Sequence, residues 1–283
     1  MRLLVRAPAS TANLGPGYDV LAAALSLGLE LEVEETGEFA VECDVPGVPC
    51  DATNLCVRAF ERLHSPGGVS FRISSAIPPA AGLGSSAAAI VAGLCAADRM
   101  LSLGAPLFEH AAELEGHPDN VAAALLGGFV VCPGGAEPPV RIDPPTGLEG
   151  VLATPPGEVP TAAARATMPA EVPLGEAVHN VARASLLVLG IARGELGLIS
   201  RGLGDLLHQP RRRPLYPRSM ELLERAGGAG ALGATISGAG PSVLFWAEAD
   251  RAASVEERLR AEAPDCELRR VTFSPGGVEA SEL

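Results

Sequence analysis

Apolar and polar residues alternate in several short stretches of this chain, a pattern typical of β-strands with one face in water. Residues 2–7 form one such stretch, and residues 27–34 and 39–43 form two more, with acidic residues at many of the polar positions. The last two stretches predict an antiparallel hairpin. Residues 69–73 alternate again and predict a strand that leads into a glycine-rich turn.

Longer apolar stretches with helical periodicity lie between these strands. They predict helices that cover residues 54–64, residues 85 to about 101, and residues 106–116, 174–193 and 252–263. A Pro/Gly-rich linker is predicted at residues 134–157. From its last residues onward, short strands (150–154, 231–236, 243–247 and 267–273) alternate with helices. This order predicts an α+β fold with two domains, residues 1–148 and residues 149–283.

Composition narrows the class of protein. The 283 residues carry a net charge of −13, which argues against nucleic acid as a partner. No apolar run reaches the length of a membrane span and the first residues do not resemble a signal peptide, so we expect a cytoplasmic protein without a membrane partner. The six cysteines form no Cys-x-x-Cys pair and are expected to be reduced thiols. All 21 basic residues are arginine, which excludes lysine chemistry.

The most distinctive stretch is a glycine-rich turn before an alanine-rich helix, Pro79-Ala80-Ala81-Gly82-Leu83-Gly84-Ser85-Ser86. Free N–H groups at such a helix start attract anions, phosphate above all. Ser85 and Ser86 fall at the expected N-cap, where a hydroxyl can cap the helix, contact phosphate or bind a metal ion. The stretch lacks the P-loop and Rossmann spacings, and on its own a plain strand-turn-helix junction is an equal alternative.

Other clusters carry candidate chemistry. The loop at residues 8–19 contains Ser10, Thr11, Asn13 and Asp19, although it could be a simple surface turn. Residues 115–120 read Glu-Gly-His-Pro-Asp-Asn at a helix end, where a solvated glutamate and a capping Asp119 are the simpler interpretation. Three consecutive arginines, residues 211–213, form a positive patch that could bind carboxylate or phosphate or remain solvated. A further glycine-rich turn occupies residues 233–242.

Together, the turns at residues 8–19, 79–87 and 236–242 resemble the three motifs of the GHMP small-molecule kinase superfamily, in the same order. The first motif, Ser10-Thr11-Ala12-Asn13-Leu14-Gly15-Pro16-Gly17-Tyr18-Asp19, resembles that of homoserine kinases rather than that of mevalonate or galactose kinases. Residues 115–120 and the His208-Gln209-Pro210 stretch before Arg212 resemble the same family. The resemblance covers nearly the whole chain and implies an N-terminal domain like ribosomal protein S5 domain 2 and a C-terminal ferredoxin-like domain.

The resemblance also implies a set of site residues. ATP would be bound by the stretch from Pro79 to Ser86, with Asn54 near the adenine. Mg²⁺ would be bound by Ser86 and Glu115, with Glu113 as the alternative to Glu115. The substrate pocket would be lined by Asn13, Asp19, His117, Asp119, Asn120, Arg165 and Arg212. Asp19, Ser86 and Glu115 would be the catalytic residues, and the third-motif loop with Ser237, Gly238 and Gly240 would close the site.

The implied activity is ATP-dependent phosphorylation of L-homoserine in threonine biosynthesis, by a homodimer. One alternative is a kinase of the same superfamily for another small alcohol, which would not need Arg165 and Arg212 to bind a carboxylate. A second is a non-catalytic sensor of nucleotide and metabolite, which would be expected to lose its metal ligands. Asp19 is a candidate base for the substrate hydroxyl, but its first expected role is to orient the substrate. Arg211 stands where relatives commonly have an aromatic residue and is expected to change carboxylate recognition.

Overall fold

In the computed structural model, which describes residues 1–135, 137–157 and 160–283, two β-sheets carry helices on their faces. The strands are β1 (Arg2–Ala12), β2 (Leu21–Glu35), β3 (Ala40–Cys43), β4 (Val69–Ser75), β5 (Phe129–Val131), β6 (Val140–Ile142), β7 (Leu148–Thr154), β8 (Gly233–Ile236), β9 (Val243–Glu248), β10 (Glu267–Thr272) and β11 (Glu279–Glu282). The helices are α1 (Leu55–Glu61), α2 (Ser85–Leu101), α3 (Leu107–Glu115), α4 (Asp119–Leu126), α5 (Thr161–Ala166), α6 (Leu174–Arg193), α7 (Leu196–Gly202), α8 (Pro217–Glu224), α9 (Ala226–Ala229) and α10 (Ala252–Glu262). The predicted α+β class is confirmed.

The first sheet is built around the long strand β2. Residues 29–35 of β2 pair with β4, residues 21–23 pair with β5, and most of its length pairs with β1. The order is β11-β1-β2-β4-β3, with β5 and β6 continuing from β2. The strand predicted at residues 2–7 extends to Ala12, so Ser10 and Thr11 lie on a buried strand and the loop begins only at Asn13.

The predicted hairpin between residues 27–34 and 39–43 is wrong. Strand β3 pairs in parallel with β4, and β4 lies between β2 and β3. Val69, Phe71 and Ile73 are buried along β4, whereas β3 buries none of its residues. The more apolar strand gains more from the central position, which leaves β3 at the edge of the sheet.

Helix α2 is the centre of the N-terminal half, and its predicted end at residue 101 is confirmed. Every residue from 87 to 97 is buried, as expected for a helix that is apolar all round and packed on several sides. Helix α1 approaches it closely, because a Cβ on Gly93 would lie 2.1 Å from the carbonyl oxygen of Cys56. This packing fixes the position of Ser85 and Ser86 at the start of α2.

The second sheet has the order β10-β7-β9-β8, with every pairing antiparallel. Val151 and Phe245 on one face join a core with α8, α9 and α10. Trp246 on the other face joins a core that includes α6, α7 and the first sheet. Phe129 of the first sheet stacks on Trp246 with ring centroids 6.0 Å apart, so the two sheets share one hydrophobic core.

Helix α6 has the bounds predicted for it, residues 174–193. It packs along α7 and buries Asn180 together with Leu187, Gly190 and Ile191. No helix in the described ranges is both long enough and apolar enough to cross a membrane.

The C-terminal strand returns to the first sheet, because β11 pairs with β1. The predicted linker at residues 134–157 includes strands β6 and β7, of which β6 pairs with β5 and β7 belongs to the second sheet. These strand pairings do not test the position of a boundary between two domains. The division into residues 1–148 and 149–283 therefore stays a prediction.

Candidate active site

Three glycine-rich turns meet around a cavity of about 470 Å³. The first turn connects β1 to β2, the second connects β4 to α2, and the third connects β8 to β9. The first contributes Asn13 and Asp19 to the cavity wall, the second contributes residues 79–86, and the third contributes Gly238. Segments far apart in the sequence thus form one site.

The second turn presents backbone N–H groups to the cavity. Gly84 is the N-cap of α2, with φ 66° and no side-chain cap, so the predicted N-cap at Ser85 or Ser86 is wrong. A Cβ on Gly84 would lie 2.0 Å from Oγ of Ser10, which leaves space only for glycine. Because no described side chain caps the first turn of the helix, its free N–H groups make this end of α2 suitable for a phosphate.

The third turn is held against the second turn. Oγ of Ser237 donates to the carbonyl oxygen of Gly82 at 2.7 Å, and a Cβ on Gly82 would lie 2.3 Å from the carbonyl oxygen of Ser237. The carbonyl oxygen of Gly238 accepts from Nδ2 of Asn13 and from Nη1 of Arg212, both at 2.8 Å. These contacts bring all three turns together.

Ser86 and Glu115 meet at the cavity wall. Oγ of Ser86 donates to Oε1 of Glu115 at 2.5 Å, and the Glu115 side chain is 8% exposed. Glu113 is 64% exposed and pairs with Arg62 at 2.6 Å, so of the two predicted alternatives it is Glu115 that lies beside Ser86. Hydroxyl and carboxylate oxygens are suitable ligands for Mg²⁺ together with phosphate. Across the described ranges no group of three or more His, Cys, Asp or Glu side chains could hold a metal, so an ion here would also need oxygens from a nucleotide.

A histidine lies between two carboxylates next to this pair. Nδ1 of His117 is 3.1 Å from Oδ1 of Asp119, and its Nε2 is 3.7 Å from Oε1 of Glu115. Burial lowers the pKa of His117, but the hydrogen bond and charge of Asp119 and the charge of Glu115 together outweigh burial and raise it. Asp119 is the first residue of α4 rather than its N-cap, and it accepts the Asn120 N–H at 2.7 Å. Asn120 in turn accepts from Oγ of Ser10.

Two arginines supply positive charge to the cavity. Arg165 forms a bidentate ion pair with Asp19, with both N–O distances at 2.8 Å. Arg212 is 2% exposed, its Nη1 donates to the Gly238 carbonyl, and its Nε has no hydrogen-bond partner among the described residues. A buried charge without a counterion is costly, so this wall of the cavity favours an anionic ligand.

A turn over residues 205–212 holds Arg212 in position. The buried carboxylate of Asp205 accepts four hydrogen bonds, at 2.7 to 3.0 Å, from the backbone N–H groups of Leu207, His208 and Gln209 and from Nδ2 of Asn180. Nε2 of His208 lies 2.7 Å from the carbonyl oxygen of Gly15, to which it donates. Oε1 of Gln209 accepts the N–H of Ile236. The 205–212 turn therefore connects the first turn to the strand that precedes the third.

Both the sequence and the fold match known small-molecule kinases. The family models for the GHMP kinases N terminal domain and the GHMP kinases C terminal match residues 52–128 and 187–265. Homoserine kinase of Thermus thermophilus is 43% identical over 90% of each chain, and that of Moorella thermoacetica is 41% identical over 85% of this chain and 86% of the relative. The chain belongs to the homoserine kinase family of the GHMP kinases.

Solved structures agree with this membership. The crystal structure of homoserine kinase from Cytophaga hutchinsonii covers 99% of this chain and 97% of its own, with a TM-score of 0.86 at 29% identity. A crystal structure of mevalonate kinase is 13% identical with a TM-score of 0.70, which shows a shared fold alone. As a member of the GHMP kinases, the chain is an ATP-dependent kinase, and the resemblance inferred from its motifs is confirmed.

Most residues suggested by the homoserine kinase resemblance line the cavity. They are Asn13, Asp19, Asn54, the stretch Pro79-Ala80-Ala81-Gly82-Leu83-Gly84-Ser85-Ser86, Glu115, His117, Asp119, Asn120, Arg165, Arg212 and Gly238. Ser237 and Gly240 support the lining, since Ser237 bonds to Gly82 and the carbonyl oxygen of Gly240 would lie 2.8 Å from a Cβ on Gly82.

Asn54 and Arg211 have contacts that the homoserine kinase motifs do not suggest. Asn54 caps α1 through the Cys56 N–H and donates to the Pro49 carbonyl, so it fixes the loop at one side of the cavity. Arg211 does not line the cavity. Its guanidinium donates to the carbonyl oxygens of Leu206 and Leu207 and pairs with Glu176, which leaves it no direct contact through which to alter carboxylate recognition.

Three residues that support this cavity were missed in the sequence: Tyr18, Asn180 and Asp205. Asp205 had a signal, since an aspartate just before a polar turn commonly accepts the N–H groups that follow it. Asn180 had none, because it bonds to Pro16 and Asp205 in distant segments. Tyr18 lies inside the first motif, but its arginine neighbours become visible only in the fold.

Proposed function

We propose that this chain transfers the γ-phosphoryl group of ATP to the hydroxyl group of L-homoserine, giving O-phospho-L-homoserine for threonine biosynthesis. The observation that carries the proposal is Arg212, which is 2% exposed in the cavity wall and forms no ion pair with a described carboxylate. A sugar or simple alcohol brings no group that would neutralise this charge. An amino-acid substrate brings a carboxylate, for which guanidinium is the best-matched partner.

The two charged ends of homoserine fit the charges in this part of the cavity. Arg212 and Arg165 would bind the carboxylate, while Asp19 would exchange part of its pairing with Arg165 for the substrate ammonium group. Asn13, His117, Asp119 and Asn120 would line the remaining pocket. Held in this way, the hydroxyl group would face the second turn, which is the orientation that an in-line attack requires.

The phosphate end would be formed by residues 79–86 and the start of α2, with Asn54 near the adenine and the Ser237-Gly238 turn closing the site. Ser86 and Glu115 would hold Mg²⁺, because a hydroxyl and a carboxylate lie side by side at the cavity wall and oxygens of this kind are the ligands that Mg²⁺ takes. When bound, Mg²⁺ would neutralise charge on the transferring phosphoryl group. The helix end and its N–H groups would stabilise the same charge without a lysine, which this chain does not contain.

Asp19 is the candidate base for the substrate hydroxyl. Both of its oxygens are engaged by Arg165 at 2.8 Å, which favours its role in orienting the substrate. Phosphoryl transfer through a loose transition state depends mainly on positioning and charge neutralisation, so a strong base is not essential. Ser86 and Glu115 would therefore contribute most to catalysis through the metal.

The experiment that tests the proposal measures ATP turnover in the presence of Mg²⁺ with one candidate phosphoryl acceptor at a time. The acceptors are L-homoserine, L-serine, L-threonine, mevalonate, shikimate and galactose. We expect turnover that depends on L-homoserine. In Arg212→Ala the KM for L-homoserine should rise roughly 30-fold or more, as expected when one partner of a buried charge pair is removed. Arg213→Ala is the matched control, because Arg213 is 55% exposed and pairs with Glu224 on the surface. Turnover with mevalonate or galactose instead would overturn the substrate, and nucleotide binding without any turnover would favour a sensor.

We also propose, from the family resemblance, a cytoplasmic homodimer whose protomer divides into residues 1–148 and 149–283 and binds neither nucleic acid nor membranes. The net charge of −13 supports the exclusion of nucleic acid. Light scattering on the purified chain tests the dimer, since a mass close to 28.8 kDa would contradict it.

A further inference from the structure

Tyr18 lies against side chains that come from two other segments of the fold, helix α5 and the 205–212 turn. Its ring centroid is 5.5 Å from Cζ of Arg212 and 6.0 Å from Cζ of Arg165. The ring of His208 lies against it, with centroids 5.4 Å apart. The cavity lining includes both arginines but not Tyr18, so the tyrosine supports these guanidinium groups from outside the lining.

The two guanidinium groups have few other contacts that fix their orientation. Among the described residues the guanidinium of Arg212 makes one hydrogen bond, to the carbonyl oxygen of Gly238. Arg165 is bound by Asp19, the residue that follows Tyr18 in the chain, and both members of that pair are about one-third exposed. Residues 18 and 19 together therefore hold both arginines, Asp19 through its carboxylate and Tyr18 through its ring.

We propose that Tyr18 is a positioning residue of the reaction, whose ring face orients the guanidinium groups of Arg165 and Arg212 toward the substrate carboxylate. This role rests on the function proposed above. Arg165 is paired with Asp19, but Arg212 forms no ion pair with a described carboxylate, and the negative face of an aromatic ring offsets part of the cost of that buried charge. The attraction is stronger where water is excluded, as it is around the buried Arg212.

The test compares two variants on two substrates. Tyr18→Phe keeps the ring, Tyr18→Leu removes it, and L-homoserine amide replaces the substrate carboxylate with a neutral group. We expect Tyr18→Leu to lower kcat/KM for L-homoserine about tenfold, mainly through KM, because two cation–π contacts are lost. The same variant should change kcat/KM for the amide and KM for ATP less than threefold, or roughly 0.6 kcal/mol. Tyr18→Phe should keep the wild-type preference for the carboxylate.

Two results would overturn the role. Equal losses with L-homoserine and with its amide in Tyr18→Leu would mean that Tyr18 only packs the loop. A loss in Tyr18→Phe as large as in Tyr18→Leu would assign the effect to the hydroxyl group. Should Tyr18→Leu fail to fold, replacing Tyr18 with pentafluorophenylalanine keeps the shape of the ring but reverses its charge distribution, and should weaken L-homoserine and not its amide.

Wild-type kinetics separate this role from the proposed function. If the wild type phosphorylates a different alcohol that carries a carboxylate, the proposed function fails, and the same variants are compared on that compound and its amide. A wild type that uses only substrates without a carboxylate would overturn both proposals.

Discussion

The two ends of the cavity are built from different parts of the chain. The end proposed to bind phosphate, here the phosphate end, is mostly backbone, formed by Gly82 and Gly84 in left-handed conformations and by the first turn of α2. The end proposed to bind the substrate carboxylate, here the carboxylate end, is mostly side chains, with Asp19, Arg165 and Arg212 brought together from separate segments. A backbone site requires glycines at fixed spacing and so leaves a continuous motif. A side-chain site requires only that the fold bring its residues together.

The two ends also depend on different forces. At the phosphate end there is no room for a Cβ, because backbone or side-chain atoms lie within 3 Å of the position that it would occupy. At the carboxylate end a buried arginine and a buried histidine depend on burial and charge. The phosphate end should therefore respond to changes in volume, and the carboxylate end to changes in charge and pH.

The largest effect is expected from Gly82→Ala. The new Cβ would lie 2.3 Å from the Ser237 carbonyl oxygen and 2.8 Å from that of Gly240, so one backbone turn must move. A displacement of about 1 Å in a phosphate site can lower the rate about 100-fold. We expect a loss of that order in kcat/KM, measured by steady-state kinetics with thermal unfolding of the same variant.

Gly104→Ala is the matched control for Gly82→Ala. Gly104 also has a positive φ, 64°, but apart from its chain neighbours no described residue has an atom within 4 Å of the position of a Cβ. This change introduces only backbone strain of about 1–2 kcal/mol. It should lower stability and leave kcat/KM unchanged, and an equal loss of activity in both variants would contradict the steric explanation.

A smaller loss is expected from Glu115→Gln. Replacing one oxygen of the Ser86–Glu115 pair with an amide should weaken the Mg²⁺ site and lower kcat about 10–100-fold, with a higher Mg²⁺ concentration needed for half-maximal rate. Glu113→Gln is the control, because Glu113 is 64% exposed and bonds to Arg62. A Mg²⁺ dependence that changes in Glu113→Gln and not in Glu115→Gln would reverse the assignment of the metal ligand.

Local patterns predicted the helices better than the strand partners. Helices α2 and α6 can each be predicted from their own residues, because each is an apolar stretch with helical periodicity. The partner of β3 depends on how apolar β4 is, and β4 lies 26 residues after the end of β3. The return of β11 to the first sheet has no local signal at all.

In the site, too, local features were predicted and long-range contacts were not. The motif predicted a glycine-rich turn at the start of a helix, with an error of one residue at the N-cap, because Gly84 in a left-handed conformation replaces a capping serine. Phosphate binding by this turn stays a prediction. Only the family resemblance indicated that Arg165 belongs to the site. The hydrogen bond from Asn180 to Asp205 and the contacts of Tyr18 with two arginines join segments that no sequence pattern relates.

The smallest effect at neutral pH is expected from His208, because protonation at this position should change the free energy of unfolding only in acid. Burial lowers the pKa of His208 to about 4; Arg212 adds to this, while Asp205, the hydrogen bond to Gly15 and the more distant Asp19 act in the opposite direction. The unfolded chain protonates a histidine near pH 6.5. The folded state therefore binds this proton less readily, and stability is lost as pH falls from about 6.5 toward about 4.

Urea unfolding at pH 7 and pH 5 measures this loss. We expect the free energy of unfolding to fall by about 2 kcal/mol more in the wild type than in His208→Gln between pH 7 and pH 5. The reason is that this free energy changes by about 1.4 kcal/mol for each pH unit below the pKa of the unfolded histidine. His64→Gln, at an exposed position, is the control and should keep the wild-type pH dependence. Should His208→Gln and the wild type lose stability equally, His208 would not be the group that couples the carboxylate end to pH. The atoms nearest to a Cβ on Gly82 are backbone atoms of Ser237 and Gly240, so Gly82→Ala should be less stable at both pH values and keep the wild-type difference between them. The two ends of the cavity would then be distinguished by pH as well as by volume.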